Sequence, residues 1–233
     1  MQSETVILIP TLNECKNLEQ LIPAIFGLMP DISVLIVDDS SRDGTGELVK
    51  NFQKSYPNLH LLERTKNFGY GKACIDSFKY FEAELPGCRY IVTMDADFSH
   101  DFRSIPEMLE KLMIYDVVVG SRYVAGGKIE NWSWQRRILS RFANIYVRLI
   151  LKLSIKDATT GFNVYRREAL LKSDFDSIES NGYAFLVELK YKLTKVGAKI
   201  LEYPITFSER REGQSKMSGK IIWESILLPW KLK

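Results

Sequence analysis

The sequence has few of the residues that build metal clusters or disulfide frameworks. Its 233 residues include only three cysteines and two histidines. Cys15, Cys74 and Cys88 are scattered, odd in number and without CxxC spacing, which argues against disulfides and a zinc site and favours a reducing compartment. A Walker A loop is also missing, so no P-loop nucleotide site is predicted.

Long apolar runs are missing as well. The most apolar candidate for a membrane-spanning helix, 221–230, is far shorter than the ~20 residues required and contains Glu224 and Pro229. The first strand pattern begins at Thr5, which leaves no room for a signal peptide. A net charge of +3 is too small to predict nucleic-acid binding. These features predict a protein that is cytosolic or associated with a membrane surface.

Strand and helix patterns alternate along the first half of the chain. Continuous apolar runs are typical of strands that are covered on both faces. They occur at 5–9, 33–37, 59–62, 90–95 and 116–120. Helical patterns lie between them, which predicts an α/β fold with a mostly parallel central sheet flanked by helices. Further along, a long helix ends near Leu153, a short strand covers 162–165, a helix 184–195 and a strand 199–207.

Acidic side chains follow three of the predicted strands. Glu14 follows the first, Asp38 and Asp39 end the second, and Asp95 and Asp97 come after an apolar run. Parallel strands bring their carboxyl ends to one edge of a sheet, where ligands collect. Alternate side chains of an extended strand share a face, so Asp95 and Asp97 would converge. Because clustered carboxylates repel one another, we expect Mg²⁺ or Mn²⁺ here, together with a nucleoside diphosphate.

Several of these features also have simpler explanations. A lone Asp-X-Asp is more often a polar turn, and 69–72 (Gly-Tyr-Gly-Lys) equally fits a turn that starts a helix. His100 either reaches the metal or is an ordinary loop histidine. Lys190, Lys192 and Lys195 fit a solvated helix face.

The segment after residue 123 is strongly basic. Between Lys128 and Lys156 there are seven basic residues and a single acid, Glu130. On a helix, the basic stripe (Arg137, Arg141, Arg148, Lys152) lies beside an apolar stripe (Trp134, Ile138, Phe142, Ile145, Leu149). Such a helix suits an anionic membrane surface. The alternative is a helix packed on the core with its polar face in solvent.

Motifs in matching order, from the first strand to about residue 220, resemble family 2 glycosyltransferases of the GT-A fold. They are 10–14, 38–45, 67–69, 95–97 and 120–123. Later segments at 132–144, 157–162 and 210–216 are similar to dolichyl-phosphate (polyprenyl-phosphate) mannose synthases. The resemblance implies a GT-A (Rossmann-like) sheet with a C-terminal acceptor-side helical segment. We expect one domain over 1–233, with a nucleotide-sugar-binding half at 1–123 and an acceptor-side half with amphipathic helices at 124–233.

The activity implied is inverting transfer of mannose from GDP-mannose to dolichyl (polyprenyl) phosphate, which gives a β-mannosyl phosphate lipid. It would take place at the cytosolic face of a membrane: the endoplasmic reticulum in a eukaryote, the cell membrane in a prokaryote. One alternative is transfer from UDP-glucose or another nucleotide sugar to the same acceptor. Another is a non-catalytic nucleotide-binding subunit of a membrane complex. The membrane contact would be direct or through a small anchoring subunit.

The resemblance also implies roles for individual residues. The guanine nucleoside would be held by Pro10, Leu12, Glu14, Val37 and Asp39. The diphosphate would meet Asp95, Ala96 and Asp97, and Mg²⁺ or Mn²⁺ would bind Asp97 with help from Asp95 and Ser99. Phosphates would contact Arg122, Arg210 and Lys216, and the lipid phosphate Arg136. Asp95, Asp97, Arg122 and Arg136 would be the catalytic residues. The family often has Tyr where this chain has Leu12 and Gln where it has Ser99, which implies that base stacking is lost and that the metal contact is weaker or water-mediated.

Overall fold

The computed structural model describes residues 1–209 and 227–233. The strands of this part are β1 (Thr5–Thr11), β2 (Ser33–Asp38), β3 (Leu59–Glu63), β4 (Tyr90–Thr93), β5 (Val117–Ser121), β6 (Lys128–Ile129), β7 (Asn163–Arg166), β8 (Ile200–Pro204) and β9 (Thr206–Phe207). The helices are α1 (Cys15–Leu28), α2 (Thr45–Gln53), α3 (Tyr70–Glu84), α4 (Ile105–Lys111), α5 (Trp134–Leu151), α6 (Arg167–Lys172) and α7 (Gly182–Lys195). Residues 227–232 are also helical.

One seven-stranded sheet organises the described residues, in the order β3-β2-β1-β4-β7-β5-β8. Its neighbouring strands are parallel, except that β7 runs antiparallel to both β4 and β5. The register pairs Thr11 at the end of β1 with Asp38 at the end of β2. The predicted α/β fold with a mostly parallel sheet is confirmed.

Both faces of the sheet are covered, as the continuous apolar runs predict. Ile7 and Ile9 of β1 belong to the core on one face, and Val6 and Leu8 belong to the core on the other, because successive strand side chains point to opposite sides. Helices α1 and α4 pack into the first core, and α3 and α7 into the second. The loops that follow β1, β2 and β4 therefore leave the sheet at one edge, between the two helical layers.

Some element boundaries differ from the expectation. Strand β4 ends at Thr93 rather than at residue 95, because the chain bends over 96–98. The strand predicted over 199–207 is two strands, and β9 leaves the main sheet to pair with β6. The sequence patterns did not predict β6 and α6, which are only two and six residues long and show too little periodicity.

Gly120 tests how closely β5 packs against the neighbouring backbone, and Gly27 in α1 serves as the control. A Cβ at Gly120 would lie 2.9 Å from the carbonyl oxygen of Phe162, whereas a Cβ at Gly27 in α1 meets no atom within 4 Å. We expect Gly120→Ala to lower the free energy of unfolding by about 1–3 kcal/mol. Gly27→Ala should raise it by up to about 1 kcal/mol, because alanine favours a helix. Urea unfolding of both variants measures the difference, and equal effects would contradict the close packing at Gly120.

Candidate functional site

The ends of three strands meet at one edge of the sheet, as the sequence predicts. Strand β1 lies between β2 and β4 and is parallel to both. Backbone hydrogen bonds between neighbouring strands continue just past the strand ends. Asp39 N–H donates to Thr11 O at 2.9 Å, and Met94 N–H donates to Leu8 O at 3.2 Å. The loops that carry Glu14, Asp39 and the Asp95–Asp97 pair therefore open onto a common edge.

Asp95 and Asp97 lie in a bend and not in an extended strand. The alternation of side chains that led us to expect their convergence does not apply, because β4 ends at Thr93 and Phe98 has a left-handed φ of 60°. Asp97 is buried, and its Oδ1 accepts hydrogen bonds from Ser99 N at 3.1 Å and Ser99 Oγ at 2.6 Å. The bend thus places a carboxylate and a hydroxyl oxygen side by side.

The His100 side chain binds the backbone of the same bend. Its Nδ1 accepts a hydrogen bond from the Asp95 backbone N–H at 3.1 Å, and its ring stacks on Phe162 with centroids 5.1 Å apart. The side chain is buried. Of the two interpretations of His100, the structure therefore favours a loop histidine that fixes the backbone of Asp95.

The oxygen atoms of the bend suit a hard divalent cation. Across residues 1–209 and 227–233, no group of three or more His, Cys, Asp or Glu side chains converges to hold a metal ion. The available donors are the Asp97 carboxylate, the Ser99 hydroxyl and the half-buried Asp95 carboxylate. Mg²⁺ binds through one or two carboxylates plus substrate phosphates and water, so this small donor set fits a metal that arrives with a diphosphate.

Asp39 is tied into the loop at 64–69. Its buried carboxylate accepts from Arg64 Nη1 at 2.5 Å and from the backbone N–H groups of Phe68 and Gly69 at 3.4 and 3.3 Å. Burial raises the pKa of Asp39 above its usual value, although Arg64 and the two N–H groups act to lower it. Asp39 therefore shapes the loop that faces the strand ends.

The glycine motif at 69–72 begins helix α3. Gly69 has a φ of +88°, and the helix starts at Tyr70. Asn181 clamps this turn: its Oδ1 accepts from Gly71 N at 2.7 Å, and its Nδ2 donates to Phe68 O at 2.8 Å. Of the two explanations for the motif, the structure agrees with a turn and helix start.

The other expected nucleoside contacts lie near the same edge. Pro10 of β1 is the cross-strand partner of Val37 in β2, and the Val37 side chain is fully buried. Glu14 precedes α1, and its Oε2 accepts from Asn17 Nδ2 at 2.7 Å. Leu12 is half-buried in the loop between them. Their contacts with a nucleoside remain predictions.

Arg122 forms a buried ion pair. Its Nε and Nη2 donate to the two carboxylate oxygens of Asp157, each at 2.8 Å, and Nη2 also donates to Thr159 Oγ1 at 2.9 Å. Asp157 is completely buried and accepts from the Arg122 backbone N–H at 3.0 Å. The pair joins the end of β5 to the segment that precedes β7, so Arg122 has a structural partner that its expected role did not include.

Trp132 brings Arg122 and Arg136 together. The guanidinium carbon of Arg136 lies 3.9 Å from the centre of a Trp132 ring, and that of Arg122 lies 5.5 Å from it. Arg136 is in the first turn of α5, whose N-cap is Ser133, and forms an ion pair with Glu209 at 3.6 Å. The two predicted catalytic arginines therefore share one aromatic platform.

A cavity of about 610 Å³ lies beside the bend. Its walls include Phe98, Ser99 and His100 from the bend, and Ser208 and Glu209 from beyond β9. The backbone N–H of Ser208 donates to Ser99 O at 3.3 Å. The predicted metal-binding bend and the partner of Arg136 thus line the same space. Arg210 and Lys216 lie outside the described residues.

Helix α5 exposes its apolar side. Its buried residues are Asn144, Val147 and Leu151, of which Val147 and Leu151 pack against α7 and Leu228. The predicted apolar stripe faces outward, with Trp134 67%, Phe142 63% and Leu149 72% exposed. Lys152 caps the helix rather than extending it. The apolar stripe does not pack on the core, but the helix is held on the core by its three buried residues, so the alternative of a core-packed surface helix with a solvated face stays open. No helix of the described residues is long and apolar enough to cross a membrane.

Lys190 contradicts the expectation of a solvated face on α7. The side chain is completely buried, and Nζ donates to Thr160 O at 2.8 Å. Burial lowers the pKa of Lys190 to about 7. Only Lys195 fits the expected pattern well, because it is exposed, whereas Lys192 contacts Asp174 at 3.4 Å.

Arg64 and Asn181 had no predicted role, Asp157 was included only within the resembling segment 157–162, and Lys190 was assigned to a solvated helix face. Asn181 carried a detectable signal, since Ser-Asn-Gly before a helical pattern is typical of an N-cap. The others are polar residues whose partners lie 25–35 residues away in the chain. No local pattern could identify them.

Comparisons with known proteins bear on this site. The family described as "Glycosyl transferase family 2" matches residues 6–173. An undecaprenyl-phosphate mannosyltransferase of Micrococcus luteus is 40% identical over 94% of this chain and 90% of its own length. A polyprenol monophosphomannose synthase of Mycolicibacterium smegmatis is 40% identical over 95% and 84%, respectively. A dolichol-phosphate mannosyltransferase of Pyrococcus furiosus is 33% identical over 97% of this chain but only 64% of its own length.

The similarity to solved structures supports the fold of this chain but not its function. A glucosyl-3-phosphoglycerate synthase from Mycobacterium tuberculosis, in complex with Mn²⁺, uridine diphosphate and glucosyl-3-phosphoglycerate, has a TM-score of 0.70 at 16% identity. The similarity covers 98% of this chain and 79% of that one.

Breaking the buried ion pair should cost much more than breaking an exposed one. Asp157→Asn leaves the Arg122 guanidinium buried without its counter-charge, and we expect the free energy of unfolding to fall by about 3–5 kcal/mol. The matched control is Asp176→Asn, which breaks a solvent-exposed pair with Lys79 at 3.2 Å. That change should have little effect, because water screens the pair. Urea unfolding of both variants tests this, and similar losses would argue against a central role for Arg122–Asp157.

Proposed function

The chain belongs to glycosyl transferase family 2, and we propose that it transfers mannose from GDP-mannose to a polyprenyl phosphate, such as dolichyl phosphate, with inversion. The observation that carries the proposal is the shared cavity: Ser99, beside the Asp97 carboxylate, and Glu209, the ion-pair partner of Arg136, line the same space. A diphosphate at the first position and an acceptor phosphate at the second would be neighbours. The relatives named as polyprenyl-phosphate mannosyltransferases support the acceptor and the sugar.

Asp97 would hold Mg²⁺ or Mn²⁺, together with Asp95 and Ser99, and the cation would supply positive charge for the departing diphosphate. Asp97 is well placed because burial and the two bonds from Ser99 fix its carboxylate. His100 fixes the backbone of Asp95 in the same way. Pre-oriented oxygens lose little freedom when the nucleotide binds. The Mn²⁺ in the related fold of known structure agrees with a divalent ion.

The acceptor needs positioning more than activation. A phosphate monoester has a second pKa near 6 and is largely ionised at neutral pH, so its oxygen is already nucleophilic. This oxygen attacks the anomeric carbon from the face opposite the nucleotide as the bond to GDP breaks, which inverts the configuration. Arg136, half-exposed and seated on Trp132, would align the acceptor phosphate. Arg122, held by Asp157, would contact a phosphate from the shared Trp132 platform.

The nucleoside would lie against the loops that follow β1 and β2. Pro10, Leu12, Glu14, Val37 and Asp39 border that edge, and Ala96 precedes the metal-binding carboxylate. Arg64 and the two N–H groups already occupy much of the hydrogen-bonding capacity of Asp39. We expect Asp39 to define the shape of the base pocket as well as to contact the base.

The exposed face of α5 would bring the site to a lipid substrate. Apolar side chains lie outward on the same helix as Arg137, Arg141 and Arg148, all exposed. Apolar groups inserted at the headgroup boundary, flanked by arginines, match an anionic membrane surface. We propose that the protein lies on the cytosolic face of a membrane through this helix, directly or with a small anchoring subunit.

The donor and the metal-binding carboxylate can be tested together. We expect lipid-linked product from GDP-mannose in a panel of labelled nucleotide sugars supplied with Mn²⁺ and dolichyl phosphate. Asp97→Ala should lower turnover at least about 100-fold, because charge on the leaving diphosphate is no longer offset, while thermal unfolding stays cooperative.

Asp31→Ala, an exposed acid in the turn before β2, is the control and should retain activity. Product from UDP-glucose alone would contradict mannose as the sugar. A lack of product with every donor would favour the non-catalytic alternative. Full activity of Asp97→Ala would remove that residue from the metal site.

Membrane contact can be tested with vesicles of phosphatidylcholine and phosphatidylglycerol. Replacing Phe142 and Leu149 with serine should weaken binding roughly tenfold, because two exposed apolar side chains no longer insert. The matched control replaces Met113 and Ile114 with serine; these side chains are 70% and 71% exposed and follow α4 instead of belonging to α5. Equal losses in both double variants, or no loss in either, would contradict membrane docking through α5.

A further inference from the structure

Lys190 is a buried basic group to which nothing so far assigns a role. It lies in the middle of α7 with no exposed surface. The charged groups that act on its amine are Asp157 and Glu202, which favour the ammonium form, and Arg122, which opposes it. Because burial of a lysine amine is costly, a residue kept only for packing would be better replaced by an apolar side chain.

The lysine contacts a short backbone segment, 160–162. Thr160 O accepts from Lys190 Nζ at 2.8 Å and from Asn163 Nδ2 at 3.1 Å. The next two carbonyls are also bound: Gly161 O accepts from Thr93 Oγ1 at 2.7 Å, and Phe162 O accepts from Gly120 N at 2.8 Å. Three successive carbonyl oxygens are thus fixed by buried donors.

The opposite side of this segment faces Asp95. A Cβ at Gly161 would lie 2.9 Å from Tyr70 Oη and 3.6 Å from Asp95 Oδ1. The Gly161 backbone therefore borders the Asp95 carboxylate, and Tyr70 Oη leaves no room for a side chain at this position. A displacement of the segment would change the space beside the Asp95 carboxylate.

We propose that Lys190 is a positioning residue for sugar transfer: by holding Thr160 O it fixes the 160–162 segment, and the segment in turn holds the Asp95 carboxylate in its working orientation. The proposal rests on the proposed role of Asp95 in binding the metal and diphosphate. It separates stability from catalysis, because removing a buried amine relieves a desolvation cost while loosening the wall beside Asp95.

The decisive variant is Lys190→Met, which keeps the volume and removes the donor. We expect its melting temperature to be unchanged or higher and its kcat to fall on the order of tenfold, because small misplacements of a catalytic group slow the reaction. The KM for the sugar nucleotide should stay within about twofold, because Lys190 donates to Thr160 O and not to the residues after β1 and β2 that are expected to hold the nucleoside.

Lys190→Gln retains an N–H donor and should recover part of kcat. Lys195→Met, an exposed position on the same helix, is the matched control and should behave as the wild type. Equal kcat for the Met and Gln variants would overturn the proposal, because the donor would then be irrelevant. So would a kcat of Lys190→Met that matches the wild type.

Hydrogen exchange gives a readout that does not need turnover. In Lys190→Met, the backbone amides of 94–97 and 160–163 should exchange faster than in the wild type, while those of β1 and β2 keep their rates. If the wild-type protein transferred no sugar from any donor, the proposed function would fail. The exchange rates would still show whether the contact of Lys190 with Thr160 O fixes the two segments. Unchanged exchange in both segments would overturn the positioning role.

Discussion

The buried pair of Arg122 and Asp157 is the interaction on which the surroundings of Arg136 depend. It ties the end of β5 to the segment before β7, and its guanidinium lies among the rings of Tyr123, Trp132 and Phe207. Arg136 rests on the same tryptophan. Two charges removed from water must satisfy each other closely, so the geometry of the pair allows little variation. That rigidity is transmitted to the arginine expected to meet the acceptor.

Helix α5 shows a conflict between folding and function. A helix of a water-soluble domain normally turns its apolar stripe toward the core. Here only Asn144, Val147 and Leu151 are buried, and the wider apolar stripe is exposed. Trp230 adds to it from the 227–232 helix, where its Nε1 donates to Tyr146 Oη at 2.9 Å. Exposed apolar area on this scale has a cost in water that a lipid surface would remove.

The sequence predicted well whatever depends on local pattern. Continuous apolar runs identified β1, β2 and β5, and the acidic residues after β1, β2 and β4 lie at one edge of the sheet, as predicted. The sequence did not predict the contacts of residues whose partners lie far away in the chain. Lys190 occupies a position that local charge pattern assigns to solvent, yet Thr160, thirty residues earlier in the chain, draws it inward. The extended geometry predicted for Asp95 and Asp97 was wrong, because β4 ends at Thr93 and the left-handed φ of Phe98 cannot be inferred from its neighbours.

Polar side chains at this site are largely bonded within the protein before any substrate arrives. Asp39 is held by Arg64 and the 68–69 backbone, Asp97 by Ser99, and Arg122 by Asp157. Such groups have little rotational freedom left to lose, so binding costs less entropy, and a misfitting ligand cannot draw them into a new arrangement. Arg136 is the exception, since it is partly exposed and paired only at 3.6 Å with Glu209. An acceptor phosphate would compete with that carboxylate for the guanidinium, which makes Arg136 the group best able to move as the lipid phosphate enters.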